Sequence, residues 1–296
     1  MKGSQLKARL TIVIFFAFVS FSYGQIPLFE EVTEQSGINH VFDPFDATFG
    51  GGTAIIDFDN DGWEDVYITG GMASDALYRN LGDGSFKNVI ASSGISNVTD
   101  TTVTQGVTCA DVNKDGWTDI FITTIATVSD NVILRAHDLL FINRGDGTFE
   151  NSSSAYGLDK FKTFSTGAAF GDINHDGYPD LYVTNYFRGF PANLGGFDGG
   201  TLGTSGPSND QLYININGDS FDERSQSYGL EHTGFGFAGF FSDYDNDRDL
   251  DLFVINDFGN LATPNLLYSN EYPNLQFKNT SDDMEFNLRM NGMGAA

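Results

Sequence analysis

The stretch Asp57-Phe58-Asp59-Asn60-Asp61-Gly62-Trp63-Glu64-Asp65 decides the reading of this chain, because it returns three more times with the same internal spacing. The further copies are Asp111-Val112-Asn113-Lys114-Asp115-Gly116-Trp117-Thr118-Asp119, Asp172-Ile173-Asn174-His175-Asp176-Gly177-Tyr178-Pro179-Asp180 and Asp243-Tyr244-Asp245-Asn246-Asp247-Arg248-Asp249-Leu250-Asp251. Positions 1, 3, 5 and 9 always carry Asp or Asn, and position 6 is Gly in all copies but the last. Oxygen donors at this spacing make a hard cage that suits Ca²⁺, which takes about six to eight oxygens in flexible geometry; Mg²⁺ asks for a tighter octahedron. The candidate ligands are the side chains of Asp57, Asp59, Asp61 and Asp65, of Asp111, Asn113, Asp115 and Asp119, of Asp172, Asn174, Asp176 and Asp180, and of Asp243, Asp245, Asp247 and Asp251. The position-7 residues, Trp63, Trp117, Tyr178 and Asp249, would each add a backbone carbonyl. One ion per loop gives about four Ca²⁺.

An EF-hand shares the first half of this pattern but needs a Glu at position 12 between two helices. Here position 12 is Ile68, Ile122, Val183 and Val254, inside β-branched and aromatic runs that read as strands. The loop therefore joins two strands. Asp, Asn and Gly also favour ordinary turns. A single copy would be explained that way; four copies that all keep the ninth-position Asp are not.

The repeat extends beyond the loop. A Gly/Ala-rich strand precedes each copy, as in Gly50-Gly51-Gly52-Thr53-Ala54 and Ser165-Thr166-Gly167-Ala168-Ala169. A third strand follows: Ala76-Leu77-Tyr78-Arg79-Asn80, Leu139-Leu140-Phe141-Ile142-Asn143, Gln211-Leu212-Tyr213-Ile214-Asn215 and Leu266-Leu267-Tyr268-Ser269-Asn270. Gly/Asp turns such as Gly82-Asp83-Gly84 mark hairpins into a fourth strand opened by Phe86, Phe149, Phe221 or Phe277. Four strands per unit, with first ligands 54, 61 and 71 residues apart, predict the blades of an all-β propeller. A parallel β-helix would need a shorter, uniform period.

These residues resemble the FG-GAP/VCBS repeats of integrin α-type propellers, and the whole layout is similar to the secreted cartilage acidic protein-like family. The resemblance covers essentially residues 26 to 296. It implies a seven-bladed ring, of which four to five blades are present here, and an ASPIC/UnbV module that often follows. Phe29-Glu30-Glu31-Val32-Thr33-Glu34-Gln35-Ser36-Gly37-Ile38 matches the fourth-strand motif and is expected to supply the outer strand of a closing blade. The chain's end, Asn291-Gly292-Met293-Gly294-Ala295-Ala296, matches the run-in to a fifth loop, so a longer protein is expected. Arg248 stands where the pattern wants Gly, a costly place for a side chain, although Asp249 adds compensating charge.

Residues 1–24 read as a secretory signal. Lys2, Lys7 and Arg9 precede an apolar run from Leu10 to Phe21, with small residues at Ser22 and Gly24. The run is short for a membrane anchor. Its removal would leave residues 25–296 and take the net charge from −25 to −28, since three cations and no acid are lost. That balance argues against nucleic acid or anionic membrane as partner. With Cys109 as its one cysteine, the chain has no internal disulfide, and metal is the available staple.

Arg144-Gly145-Asp146 is the adhesion tripeptide, but its Gly-Asp aligns with the hairpin turn of the first repeat. His40, His137, His175 and His232 share no ligand or triad spacing, and His175, at a variable loop position, is expected to face solvent. Phe187 to Ser208 is a Gly-rich insertion and the best candidate for a binding loop. Taken together, the expectation is a secreted or cell-surface (in a bacterium, periplasmic) calcium-binding propeller. It would serve as an adhesion or binding module for an extracellular protein or glycan. The alternative is a carbohydrate-active lyase or hydrolase on the same scaffold, though no acid/base pair, nucleophile elbow or open zinc site accompanies it.

Overall fold

The computed structural model describes residues 30–44, 50–129, 132–188, 206–260, 262–290 and 292. The segment expected to be a secretory signal, most of the Gly-rich insertion and the last four residues lie outside them. Four antiparallel sheets follow one another along the chain, each with its four repeat strands in sequence order. Sheet 1 comprises Thr53–Ile56, Asp65–Ile68, Ala76–Asn80 and Phe86–Asn88. Sheet 2 comprises Thr102–Ala110, Asp119–Ser129, Leu139–Asn143 and Phe149–Asn151, with Val132–Arg135 as an added hairpin arm. Sheet 3 comprises Phe164–Gly171, Asp180–Phe187, Gln211–Ile216 and Ser220–Glu223. Sheet 4 comprises Thr233–Ser242, Asp251–Asp257, Leu266–Asn270 and Phe277–Asn279, and Ser208–Asn209, the return leg of the insertion, extends its inner edge. This is the arrangement of propeller blades.

The sheets stack face to face, which explains why the second strands are apolar without alternation. Ile120 and Ile122 pack with Tyr67 and Leu77 of sheet 1, while Phe121 between them packs with Leu181 and Val183 of sheet 3. Tyr182 then faces Leu252 and Val254 of sheet 4. A strand covered on both faces needs apolar side chains at every position. The inner strands are small-residue-rich because their backbones nearly touch. A Cβ on Gly106 would lie 2.6 Å from the Thr166 carbonyl oxygen, and one on Gly52 would lie 2.7 Å from the Val107 nitrogen. A threonine from the second strand stitches each approach. Thr69 Oγ1 accepts from Gly52 N and donates to Gln105 O (2.8 Å), and Thr123 Oγ1 accepts from Gly106 N and donates to Thr166 O (3.3 Å).

In the run before the first loop, Phe29, which would open the expected closing strand, lies outside the described residues, and Thr33–Ser36 is a helical turn. Its role is visible by comparison with Ile90–Ser93, where left-handed Gly94 puts its Cα against the Phe149 carbonyl of the next sheet. Gly37 does the same to Phe86 of sheet 1, with a hypothetical Cβ 2.8 Å from that oxygen. Thr33–Ile38 thus occupies, before sheet 1, the place that each repeat's terminal turn occupies before its successor.

Sheets are also linked through the asparagine that ends each third strand. Asn143 Nδ2 donates to Phe58 O in the first acidic loop (2.8 Å) as well as to Thr118 O of its own loop (3.1 Å). Asn215 reaches Val112 O (2.9 Å) and Asn270 reaches Ile173 O (2.9 Å) in the same way. Among the described residues, Asn80 Nδ2 donates within its own loop, to Glu64 O, and reaches no neighbouring sheet. Asn143→Ala is therefore expected to cost about 2–4 kcal/mol in denaturant unfolding, because it strands buried carbonyls and the Gly145 N–H that Asn143 Oδ1 caps. Asn80→Ala should cost clearly less; equal losses would show that the inter-sheet bond adds nothing.

Candidate metal centre

The four acidic loops share one conformation. Position 5 donates its backbone N–H to the first Asp at 3.1 Å in every copy (Asp61 to Asp57, Asp115 to Asp111, Asp176 to Asp172, Asp247 to Asp243). Position 6 donates to the other oxygen of that Asp, and position 7 donates to the carboxylate of position 5, as Trp63 does to Asp61 and Asp249 to Asp247. Position 4 is left-handed throughout, at φ of 54° to 64° for Asn60, Lys114, His175 and Asn246. Arg248 takes φ 81° where Gly62, Gly116 and Gly177 take 88° or 89°, so the fourth loop keeps its shape at the expense of backbone strain.

The ninth-position aspartates close the loops from behind. Asp65, Asp119, Asp180 and Asp251 are fully buried. One oxygen of each accepts the position-2 N–H, and the other accepts the N–H of the third-strand asparagine, at 2.7 Å from Asn80 and 2.8 Å from Asn143. Burial pushes Asp119 and Asp180 up to about 7, and Asp65 and Asp251 up to about 6, against the lowering effect of those two N–H donors.

On the open side, carboxylate oxygens of Asp57, Asp59 and Asp61 lie within 4.8 Å of one another, as do those of Asp243, Asp245 and Asp247. Oxygens that close can share one ion at calcium–oxygen distances of about 2.3–2.6 Å. In the middle loops Asn113 and Asn174 supply an amide oxygen at position 3, which accepts the N–H of Asp115 and Asp176. Among the described residues of the acidic loops, two buried oxygens have no hydrogen-bond partner, Oδ1 of Asp59 and Oδ1 of Asp249. Asp249 is only 5% exposed, and burial, followed by repulsion from Asp247, raises it to about 6. A hard divalent cation fits this donor set, with Asp57, Asp59, Asp61 and their counterparts as its holders.

The rings at position 7 pack rather than face solvent freely. Trp63 and Trp117 lie against the hairpin glycines Gly82 and Gly145, and Tyr178 lies against Gly218. His175 is exposed, yet one ring face stacks on Tyr272 at 4.5 Å between centroids. The Arg144-Gly145-Asp146 tripeptide is committed to its turn. Arg144 pairs with Glu150 (2.8 Å), and Asp146 Oδ1 accepts from the Thr148 backbone and hydroxyl. Burial pushes the Cys109 thiol up to about 12, which makes it a poor nucleophile.

Sequence reasoning missed a second set of side chains, an aspartate before the third strand of sheets 1 to 3 and an asparagine before that of sheet 4. Asp75, Asp138 and Asp210 accept the N–H of Gly70, Thr124 and Asn185, and Asn265 does so for Asn256. Asp210 also accepts from Tyr182 (2.8 Å), and His232 Nε2 lies 3.2 Å away with Nδ1 3.2 Å from the Tyr268 hydroxyl. This Tyr-Asp-His-Tyr chain looks catalytic in isolation. Its aspartate, however, holds a strand end just as its equivalents do in the sister sheets, so its first duty is structural.

Arg248→Gly should relieve the fourth loop, raising stability by up to about 1 kcal/mol, the left-handed penalty less the entropy glycine adds to the unfolded chain. A loss on thermal unfolding would mean that the Arg248 side chain supports the loop.

An FG-GAP-like repeat family model matches residues 57–122 and 126–183, which span the first three acidic loops. Human cartilage acidic protein 1 is 28% identical over 171 residues, covering 54% of this chain and 23% of that protein. The chain therefore spans about a quarter of the length of this relative. Residues 57–122 and 126–183 are thus FG-GAP-like repeats on blade-forming sheets, and the chain is similar in sequence to cartilage acidic protein 1.

Proposed function

We propose that this chain is a calcium-stabilised extracellular binding module whose acidic loops hold the blades in shape and whose ligand is a protein or glycan. The observation that carries the reading is the identity of the four loops. Each presents Asp or Asn oxygens at positions 1, 3, 5 and 9 in the same backbone frame, and the first and fourth add orphaned oxygens at Asp59 and Asp249. Calcium would supply charge compensation there, and the chain's own residues supply the geometry. FG-GAP-like repeats and the similarity to cartilage acidic protein 1 fit a binding or adhesion module rather than an enzyme. Secretion is supported by the signal-like residues 1–24, and no described helix is long and apolar enough to cross a membrane.

Extracellular sites of this kind bind at about 10⁻⁴–10⁻³ M, and an ion at 100 times its Kd adds about 2.7 kcal/mol per site. Chelation with EDTA should lower the melting temperature by more than about ten degrees. The pH dependence should also change. The ninth-position carboxylates titrate above their ordinary 3.8, so the ion-free fold holds more protons than the unfolded chain between 3.8 and about 7. Its stability is then full below 3.8 and falls as pH rises through about 6 to 7. Calcium should flatten this decline, leaving the residue due to buried Asp138, which burial raises to about 7 outside the loops. Melting curves from pH 5 to pH 8 that are the same with and without calcium would sink the reading.

The ligand is approached with an array of extracellular-matrix proteins and glycans probed with calcium and with EDTA. Retention that depends on calcium is the expected outcome. Turnover of an arrayed polysaccharide in place of retention would favour the lyase or hydrolase.

A further inference from the structure

We propose that Arg79 is a built-in counter-ion of the first acidic loop, which calcium must displace to fill that site. The proposal rests on the calcium reading above. Arg79 lies on the third strand of sheet 1, and its guanidinium reaches across to the loop. Nε stands 2.5 Å from Asp59 Oδ2, and Nη2 donates to Asp61 Oδ2 at 2.9 Å. Both partners are position-3 and position-5 donors of the proposed calcium cage. The same strand position is filled by Ile142, Ile214 and Ser269 in the other sheets, and none of these brings a charge.

Charge counting shows the consequence. Positions 1, 3 and 5 hold three carboxylates in the first and fourth loops, but two carboxylates and an amide in the second and third. On acid count alone, the first loop would rank with the fourth as a strong site, since ligand charge tunes affinity in such loops. Arg79 cancels one of its charges and places it with the middle loops. The fourth loop receives no such partner; Asp243, Asp245 and Asp247 form no salt bridge among the described residues. A guanidinium and a divalent ion on the same two carboxylates repel each other strongly in a partly dry site. Arg79 is about two-fifths exposed, so water can take up its head when the ion arrives.

Trp63 provides a local reporter, because it is the position-7 residue of the first loop and one of two tryptophans in the chain. In a Trp117→Phe background, the intrinsic fluorescence of Trp63 reads that loop as calcium is titrated in directly. Arg79→Ile gives sheet 1 the residue that sheets 2 and 3 already carry, which guards the fold. The calcium concentration for half saturation should fall roughly tenfold, and the difference between the two proteins should narrow in high salt as charge effects are screened. The reciprocal change, Ile142→Arg, read through Trp117 in a Trp63→Phe background, should weaken the second loop. An unchanged or higher calcium requirement in Arg79→Ile would overturn the proposal, since Arg79 would then be a spectator or a support for the bound ion. Failure of the calcium reading is a separate result: calorimetry on the unaltered protein would find no calcium uptake at any loop, and both would fall.

Discussion

The structure depends on a buried carboxylate that accepts two backbone N–H groups. In each repeat the ninth-position aspartate takes one from its own loop and one from the third-strand asparagine, so a single side chain fixes the loop, the second strand and the third strand together. That asparagine then uses its amide to reach the preceding sheet, as Asn143 does to Phe58 and Asn215 to Val112. Loop geometry and blade stacking are therefore one network. A loop cannot open without loosening the seam to its neighbour, which is how an ion bound at the rim can stabilise a whole sheet stack.

The network has an electrostatic cost. Burial raises all four of these aspartates well above the ordinary carboxylate range, and the open side adds two or three further acids per loop. Two remedies are visible. Backbone N–H donors offset part of the charge everywhere. A cation offsets more, and at the first loop the protein already carries one in Arg79.

The fold was legible in the sequence because its signals repeat. Four loops of one spacing, apolar second strands and Phe-led fourth strands each found their sheet at the expected residues. Legibility failed where a residue type has several common uses. Thr33-Glu34-Gln35-Ser36 sits in a fourth-strand motif, yet the part of that motif that recurs in space is the terminal turn and its left-handed glycine. The asparagines ending the third strands were in plain view in all four copies, but an asparagine at a strand end reads as turn chemistry, and only coordinates reveal its second partner one sheet away. Asp75, Asp138 and Asp210 likewise look like loop residues until their N–H partners are seen. Arg79 was hidden for a different reason: it lies 14 residues beyond the loop it serves, on a strand whose other copies are uncharged there.

The candidate sites form a row rather than four isolated points. The fourth-position residue of each of the first three loops touches the next repeat: Asn60 Nδ2 donates to Gly116 O at 3.0 Å, Lys114 lies over the Tyr178 ring at 5.0 Å, and His175 stacks on Tyr272. Left-handed backbone at that position is what turns these side chains toward the neighbour. Neighbouring loops are thus in mechanical contact along one rim, and the two departures from the repeat fall at its ends. Arg79 tempers the first loop by neutralising it, and Arg248 tempers the fourth by straining it, while Asp249 adds a buried carboxylate beside the strain. The middle loops have neither device. Their lower acid count already sets a moderate charge, so amide-for-acid replacement in the middle loops and Arg79 at the first reach a similar charge by different physical means, while the fourth keeps its three carboxylates.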